Sequence, residues 1–333
     1  MNAPRCTDED YIQFLLATPK ACSATEAARV QPEQPDKPAH DAFTRLLHRI
    51  EPDPRTLWDE VRPLVDRSAG VLVIDDSTLD KPHARHITLV SRHWSGKHYR
   101  VVDGINLITL VWTDGDRLYP TDYRIYHKTV DHKTKNDHFR DTVARAHARG
   151  FRPRCVLFDS WYAGLDNFKQ VRGYGWVFLG RLQGNRLVRL DRGPPTAVEA
   201  LPITASGAVV WLPGFGLVEV FRTAARDGGA EYWVTNDTGL DEVGRVVFAE
   251  LAWSVEEYHR GLKQFTGVER CQTRMTRAQR NHIGWSIRAL VRLEWLRFTT
   301  GISWFEAKMR IIRDAVRAYL ERPAIMIPRT ATA

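Results

Sequence analysis

Two apolar runs, each ending in an acid, constrain this chain more than any other feature. AGVLVIDDST spans residues 69–78 and RCVLFDSWYAG spans 154–164. A short stretch that is apolar at every position suits a strand covered on both faces, because a half-exposed strand would alternate. Both runs are therefore predicted to lie at the centre of one sheet, with acidic residues at their ends.

The segments around them set the order of elements. VVDGINLITLVWT and LYPTDYRIY flank Asp114-Gly115-Asp116, a hairpin signal. Lys135 to Arg149 reads as a helix closed by Gly150. After the second apolar run come a helix near Leu165 to Arg172 and a strand in GWVFLGRL. Three antiparallel-type strands, a helix, a strand, a helix and a strand is the order of a ribonuclease-H-like fold, an α/β class with a mixed sheet. In that order the first and fourth strands are neighbours, so Asp75 or Asp76 should meet Asp159 although more than 80 residues separate them. Adjacent strand residues face opposite ways, so only one of Asp75 and Asp76 points into a shared site. The alternation leaves that choice open.

The remainder divides into three parts. Residues 1–68 read as a helical amino-terminal region: short helices at Tyr11 to Leu16, Ser23 to Val30, His40 to Ile50 and Thr56 to Val65, with Pro-rich spacers. SATEAARV and HDAFTRLLHRI could form a degenerate helix-turn-helix that binds DNA, or a plain helical cap. Residues 69–185 hold the first part of the core, and 186–238 a β-rich insertion containing AVVWLPG, GLVEVFR and EYWVTN. Residues 239–333 complete the core with helices that run to about Leu320.

A third acid is expected on a helix around AELAWSVEEYHRGLKQF, where Phe248, Leu251, Val255, Leu262 and Phe265 recur on one face. Glu256 and Lys263 are seven positions apart and lie within about 20° of each other around such a helix. Arg260 joins them, whereas Glu257 turns about 100° away. One carboxylate with two cations on a single face suits a metal ligand beside phosphate contacts, or an ion pair on a solvated face.

VLVIDDST, VLFDSWYAG and WSVEEYHRGLKQ together resemble the three catalytic blocks of bacterial insertion-sequence transposases of the IS4-like group, IS701-like branch. The resemblance covers roughly residues 10 to 320, and the Glu256 to Lys263 spacing is its most specific element. It places the first acid on Asp76, the second on Asp159 and the third on Glu256, as catalytic residues and metal ligands. The Tyr and Arg that precede the last block in that family are replaced here by Ala249 and Ala252. The resemblance implies two Mg²⁺ or Mn²⁺ ions, hydrolysis of transposon-end phosphodiesters and joining of the 3′-hydroxyl to target DNA. It further implies double-stranded DNA as partner, a homodimer on paired ends, and a cytoplasmic, nucleoid-associated place of action.

Secondary candidates for DNA contact follow from charge and aromaticity. HKTVDHKTKNDH carries Lys133 and Lys135 among turn-forming residues and could track a DNA backbone or be a solvated loop. Arg270, Arg274 and Arg277 fall at helical spacing on one side, with Arg280 close by. Trp233 and Trp211 could stack on a base or belong to the core. His83, His86, His93 and His98 read as surface residues.

Composition excludes some classes. Lys plus Arg outnumber Asp plus Glu by 48 to 40, a formal charge of +8 that favours a polyanionic partner. The four cysteines form no CxxC pair, so neither a zinc site nor a disulfide framework is indicated. No apolar run approaches the roughly 20 residues of a membrane span, and MNAPRCTDEDY lacks a secretory signature. The different-class alternative is a sequence-specific DNA-binding protein without catalysis. A sugar hydrolase with paired carboxylates would leave the cations near Glu256 unexplained.

Overall fold

The computed structural model describes residues 4–82, 84, 86–95, 99–225 and 228–325. His83 and His98 lie outside these residues. The chain opens with helices α1 (Asp8–Ala17), α2 (Ala24–Arg29), α3 (His40–Arg49) and α4 (Arg55–Val61). Thr7 and Asp10 form a reciprocal capping box on α1, and Ser23 caps α2. Helix α4 is shorter than predicted because Pro63 has no N–H to continue its ladder.

The sheet begins with β1 (Val71–Asp80), β2 (Ser91–Ser95), β3 (Arg100–Thr113) and β4 (Leu118–Tyr126). Val71 to Ile74 are buried, as a strand apolar on both faces requires. The β3–β4 hairpin turns at Asp114, whose carboxylate accepts from the N–H groups of Asp116 and Arg117, with Gly115 at φ +105°. A short helix α5 (Lys128–Asp131) leads to α6 (Lys135–Ala148), which starts on a Thr134–Asp137 capping box. Then come β5 (Val156–Phe158), α7 (Leu165–Gly173) and β6 (Phe178–Leu182). Strand β1 pairs antiparallel with β3 and parallel with β5, and β5 runs parallel to β6. This is the ribonuclease-H-like mixed sheet that the element order predicted.

Strands β7 (Leu187–Leu190), β8 (Thr196–Ala197), β9 (Ala208–Leu212), β10 (Gly216–Ala224) and β11 (Ala230–Thr235) follow. They extend the core sheet, since β11 pairs antiparallel with β6. Helices α8 (Glu242–Ala252), α9 (Ser254–Phe265), α10 (Thr276–Thr300) and α11 (Trp304–Glu321) complete the chain.

Helices α6 and α7 cover one face, where Phe139 and Phe168 pack on Phe158 at ring distances of 5.3 and 6.0 Å. Helices α8 and α9 cover the other, touching β5 and β1. A second apolar cluster joins α1, α2 and α3 to α10 through Tyr11, Phe14, Phe43, Ala278 and Trp285. Arg288 of α10 binds Asp8 and Glu60, and Arg292 binds Glu60 and Glu9. The amino-terminal helices are thus docked on the core. No described helix is long and apolar enough to cross a membrane.

Candidate active site

The register of the central strands decides which acids meet. Val73 lies beside Leu157 and Ile74 beside Phe158. Register neighbours on parallel strands point to the same face. Phe158 points towards α6 and α7, and so do Ile74 and, two residues on, Asp76. Asp75 and Asp159 continue the register on the opposite face, beneath α9. There His259 Nδ1 lies 3.8 Å from Asp75 Oδ2.

Asp75 and Asp159 join Asp76, Glu256, Arg260 and Lys263 around one cavity of about 630 Å³, with Trp94, Trp253, Trp233 and Arg181 also in its lining. Burial pushes the Asp75 carboxyl well above its usual range, and the charges of Asp159, Asp76 and Glu256 push it further. Asp159 is raised too, by burial and then by Asp76. Its carboxylate accepts from Trp161 N–H at 3.0 Å. Burial holds His259 neutral, its pKa lowered to about 3 with help from Lys263.

Asp76 is held differently. Its Oδ2 accepts from Asn106 Nδ2 at 2.6 Å and Lys135 Nζ at 2.7 Å, and its Oδ1 from Tyr162 OH at 2.9 Å. Burial raises this carboxyl, but the Lys135 ammonium and these three donors outweigh it and the net shift is downward. Asp76, the first acid that the resemblance implies, therefore has both of its carboxylate oxygens engaged. Asp75 and Asp159 each follow the last paired residues, Ile74 and Phe158, and the donors to Asp76 come from β3, α6 and the turn after β5. Asp75 and Asp76 nevertheless both reach the cavity lining, because it opens at the end of the paired region.

The helix expected to carry the third acid is two helices. Trp253 makes tight three-residue bonds on both sides, its N–H to Glu250 O and its O from Glu256 N–H, both at 3.0 Å, and separates α8 from α9. Glu256, Arg260 and Lys263 still share the cavity side of α9. Lys263 Nζ donates to Thr78 O at 2.9 Å and lies 3.4 Å from Glu269. Arg260 is exposed and has no ion-pair partner among the described residues.

Other candidates lie elsewhere. Lys133 pairs with Asp141. Arg270, Arg274 and Arg277 do not share a helix face: Gly267 at φ +65° follows the end of α9, and α10 begins only at Thr276. Arg270 donates to Pro19 O, and Arg277 to His48 O and Glu51, so both hold the amino-terminal region. Arg274 is exposed. Trp233 is only 6% exposed and its ring is covered by Arg181 at 4.9 Å. Trp253, at 43%, is an open indole of the cavity. Trp211 is exposed but outside it.

Sequence reasoning missed Asn106, Tyr162 and His259, whose roles depend on strand register and helix docking. Among the described residues no three His, Cys, Asp or Glu side chains converge as a metal cluster. The acids share a cavity without closing on one point.

The family described as DDE superfamily endonuclease matches residues 5–200, a span that includes Asp75, Asp76 and Asp159 and ends before Glu256. No curated protein matches the sequence. In fold the chain is similar to the piggyBac transposase in its synaptic complex with hairpin DNA. The TM-score is 0.55 at 11% identity, covering 100% of this chain and 78% of that one. The Drosophila P element transposase strand transfer complex aligns over 97% of this chain and 88% of that one, at 9% identity and a TM-score of 0.30, too low to carry an argument.

Proposed function

Because this chain belongs to the DDE superfamily of endonucleases, we propose that it is a DNA transposase. It cuts phosphodiesters at the ends of a mobile element and joins the freed 3′-hydroxyl to target DNA. The observation that carries this reading is the same-face register of Asp75 and Asp159 beneath the helix that bears Glu256. In this proposal Asp75, Asp159 and Glu256 are the catalytic acids, and Asp76 supports them from behind.

The donor set fits Mg²⁺ or Mn²⁺, hard ions that prefer carboxylate oxygen. Burial and the neighbouring acidic charges, Asp76 among them, raise Asp75 and Asp159, and a divalent cation would offset both effects. When bound, a pair of such ions supplies an activated water or 3′-hydroxyl and stabilises the leaving oxygen. The chain's own residues do the rest. Lys263, tied to Thr78 O, holds α9 against β1 and keeps Glu256 on the cavity side. Arg260, exposed on the same side, offers its guanidinium to a phosphate. Neutral His259 packs beneath Asp75 without adding charge.

The DNA is double-stranded, as element ends and target are, and the net charge of +8 favours it. A homodimer would bring two ends together for joining, and the protein would work at the nucleoid. Residues 1–68 and 186–238 would add contacts flanking the core of 69–185 and 239–333. A strand-transfer assay tests the reading: pre-cut element ends, supercoiled target plasmid and Mg²⁺ or Mn²⁺. Joined products that vanish with Asp159→Asn support it. Binding to the ends with neither cutting nor joining would favour a DNA-binding protein without catalysis.

A further inference from the structure

Strands β2 and β3 form a hairpin whose tip runs past the end of β1. The last register pair between β1 and β3 is Asp80 with Gly104, and Arg100 to Val102 continue beyond it, paired with β2. Register partners in an antiparallel pair point to the same face. Trp94 opposite Val101, and Arg92 opposite Asp103, therefore lie on one face, with His93 opposite Val102 on the other. The His93 face is held by the rest of the protein. His93 is half-buried, shares a hydrogen bond with Ser91 Oγ at 2.8 Å and lies 6.3 Å from the Tyr126 ring.

The Trp94 face is open. Trp94 is 65% exposed and Val101 47%, and Trp94 stacks on no ring or cation among the described residues. Its place is nevertheless defined, because it lines the same cavity as Thr78, Arg260 and Lys263. Alternation along β3 puts Val101 on the face of Thr109, the register partner of Asp75. The open side of the hairpin is thus the side on which Asp75 stands.

An indole beside a valine is a flat apolar surface, and leaving it in water is unfavourable until an apolar partner covers it. A phosphate cannot do so. The flat apolar part of a nucleic acid is the face of a base, which every base carries and which is free only at a strand end or outside the stack. We propose that Trp94, backed by Val101, is a stacking platform for an unpaired base of the DNA strand whose backbone enters the cavity. Arg260 meets the phosphate and Trp94 the base, so charge and stacking fall to different residues. The inference rests on the reading that DNA enters this cavity, and it needs no bound cation.

The experiment is fluorescence anisotropy of the full chain, without divalent cation, against two labelled duplexes of the same mixed sequence, one blunt and one with a short unpaired 3′ tail. Wild type is expected to favour the tailed duplex. Trp94→Ala should lose at least about fivefold in affinity for the tailed duplex, the low end of what one stacked aromatic contributes, and leave the blunt duplex unchanged. Trp94→Phe should keep most of the preference. The slope of log K against log salt should be the same in all three proteins, because stacking releases no counterions. 2-Aminopurine at the first unpaired position should be quenched by wild type and bright with Trp94→Ala, and circular dichroism confirms folding. Equal binding of both duplexes by wild type overturns the proposal. So does a Trp94→Ala variant that keeps the preference, or one that loses equally on both duplexes. A wild type that binds neither duplex overturns the DNA reading and this inference together. Binding that weakens in Arg260→Ala but is indifferent to Trp94→Ala sinks this inference alone.

Discussion

Asp75 and Asp159 each follow the last paired residues of β1 and β5, Ile74 and Phe158, and both line the one cavity beneath α9. Burial lifts both carboxyls above their usual range, and neighbouring acids add to it, Asp159 and Asp76 at Asp75 and Asp76 at Asp159. Asp76, one position along, faces the other way and is lowered by Lys135 and its hydrogen bonds against the effect of burial. One strand thus separates two adjacent acids into different electrostatic environments.

The packing beneath Asp159 leaves no room at Gly180. A Cβ there would meet Phe158 Cε2 at 2.5 Å, on the ring that precedes Asp159. Gly180→Ala should destabilise the fold by about 1–3 kcal/mol, the usual cost of overpacking, and lower cleavage by displacing Asp159. Urea unfolding alongside a plasmid-nicking assay checks both. An unchanged denaturation midpoint would contradict the close approach.

Arg260 and Arg277 should differ in DNA binding. Arg260 lines the cavity without an ion-pair partner among the described residues, whereas Arg277 is committed to His48 O and Glu51. Arg260→Ala is expected to weaken binding to element ends and to reduce the slope of log K against log salt by about 0.9, the value of one phosphate contact. Arg277→Ala should leave that slope unchanged. Fluorescence anisotropy over a salt series separates them, and equal slopes for the two variants would count against the assignment.

Acid should weaken the junction of α1 and α10. His282 is buried, accepts from Tyr11 OH through Nδ1 at 3.0 Å, and donates Nε2–H to Gly267 O at 3.1 Å. Burial, with Lys81 adding to it, lowers its pKa from 6.5 to about 3. As pH falls below 6.5 the unfolded chain takes up a proton that the folded one refuses. The stability contributed by neutral His282 is therefore full above pH 6.5 and is lost towards pH 3. By pH 4 the loss is roughly 3 kcal/mol. His282→Gln should flatten the fall in stability between pH 6.5 and 4 in urea titrations, although it starts lower at pH 7. Parallel profiles would show that His282 does not titrate as described.

The ion network on α10 should hold the amino-terminal helices in place. Arg288→Ala with Arg292→Ala leaves Glu60 without either cation, at a cost of about 1.5–3 kcal/mol for each lost charged hydrogen bond. Limited proteolysis is expected to release fragments cut near residues 50–68 while the remainder resists. A digestion pattern equal to wild type would mean that the apolar cluster alone suffices.

Much of the core could be read from residue order because its signals are local. Continuous apolar runs marked β1 and β5, the Asp114-Gly115 turn marked the hairpin, and Gly150 marked the end of α6. Strand β2 was missed because SRHWS carries no apolar alternation and is held by pairing with β3. The division at Trp253 has no Gly or Pro to announce it. The arginines 270, 274 and 277 looked helical by spacing alone, although Gly267 was a breaker signal in plain view. Strand alternation showed that Asp75 and Asp76 must diverge, but its phase depends on the register with β5. The donors around Asp76 come from β3, α6 and the turn after β5, and only the assembled fold brings them together.

The most direct measurement of the central claim is Mn²⁺-dependent cleavage of a supercoiled plasmid carrying the element's ends, comparing wild type with Asp75→Asn, Asp76→Asn, Asp159→Asn and Glu256→Gln. Loss of a cation ligand removes several kcal/mol of transition-state stabilisation, roughly a 10³-fold fall in rate. The account predicts that fall for Asp75→Asn, Asp159→Asn and Glu256→Gln, each still binding the ends, with Asp76→Asn retaining measurable cleavage. Full activity in Asp75→Asn together with a silent Asp76→Asn would contradict it and return the first acid to Asp76.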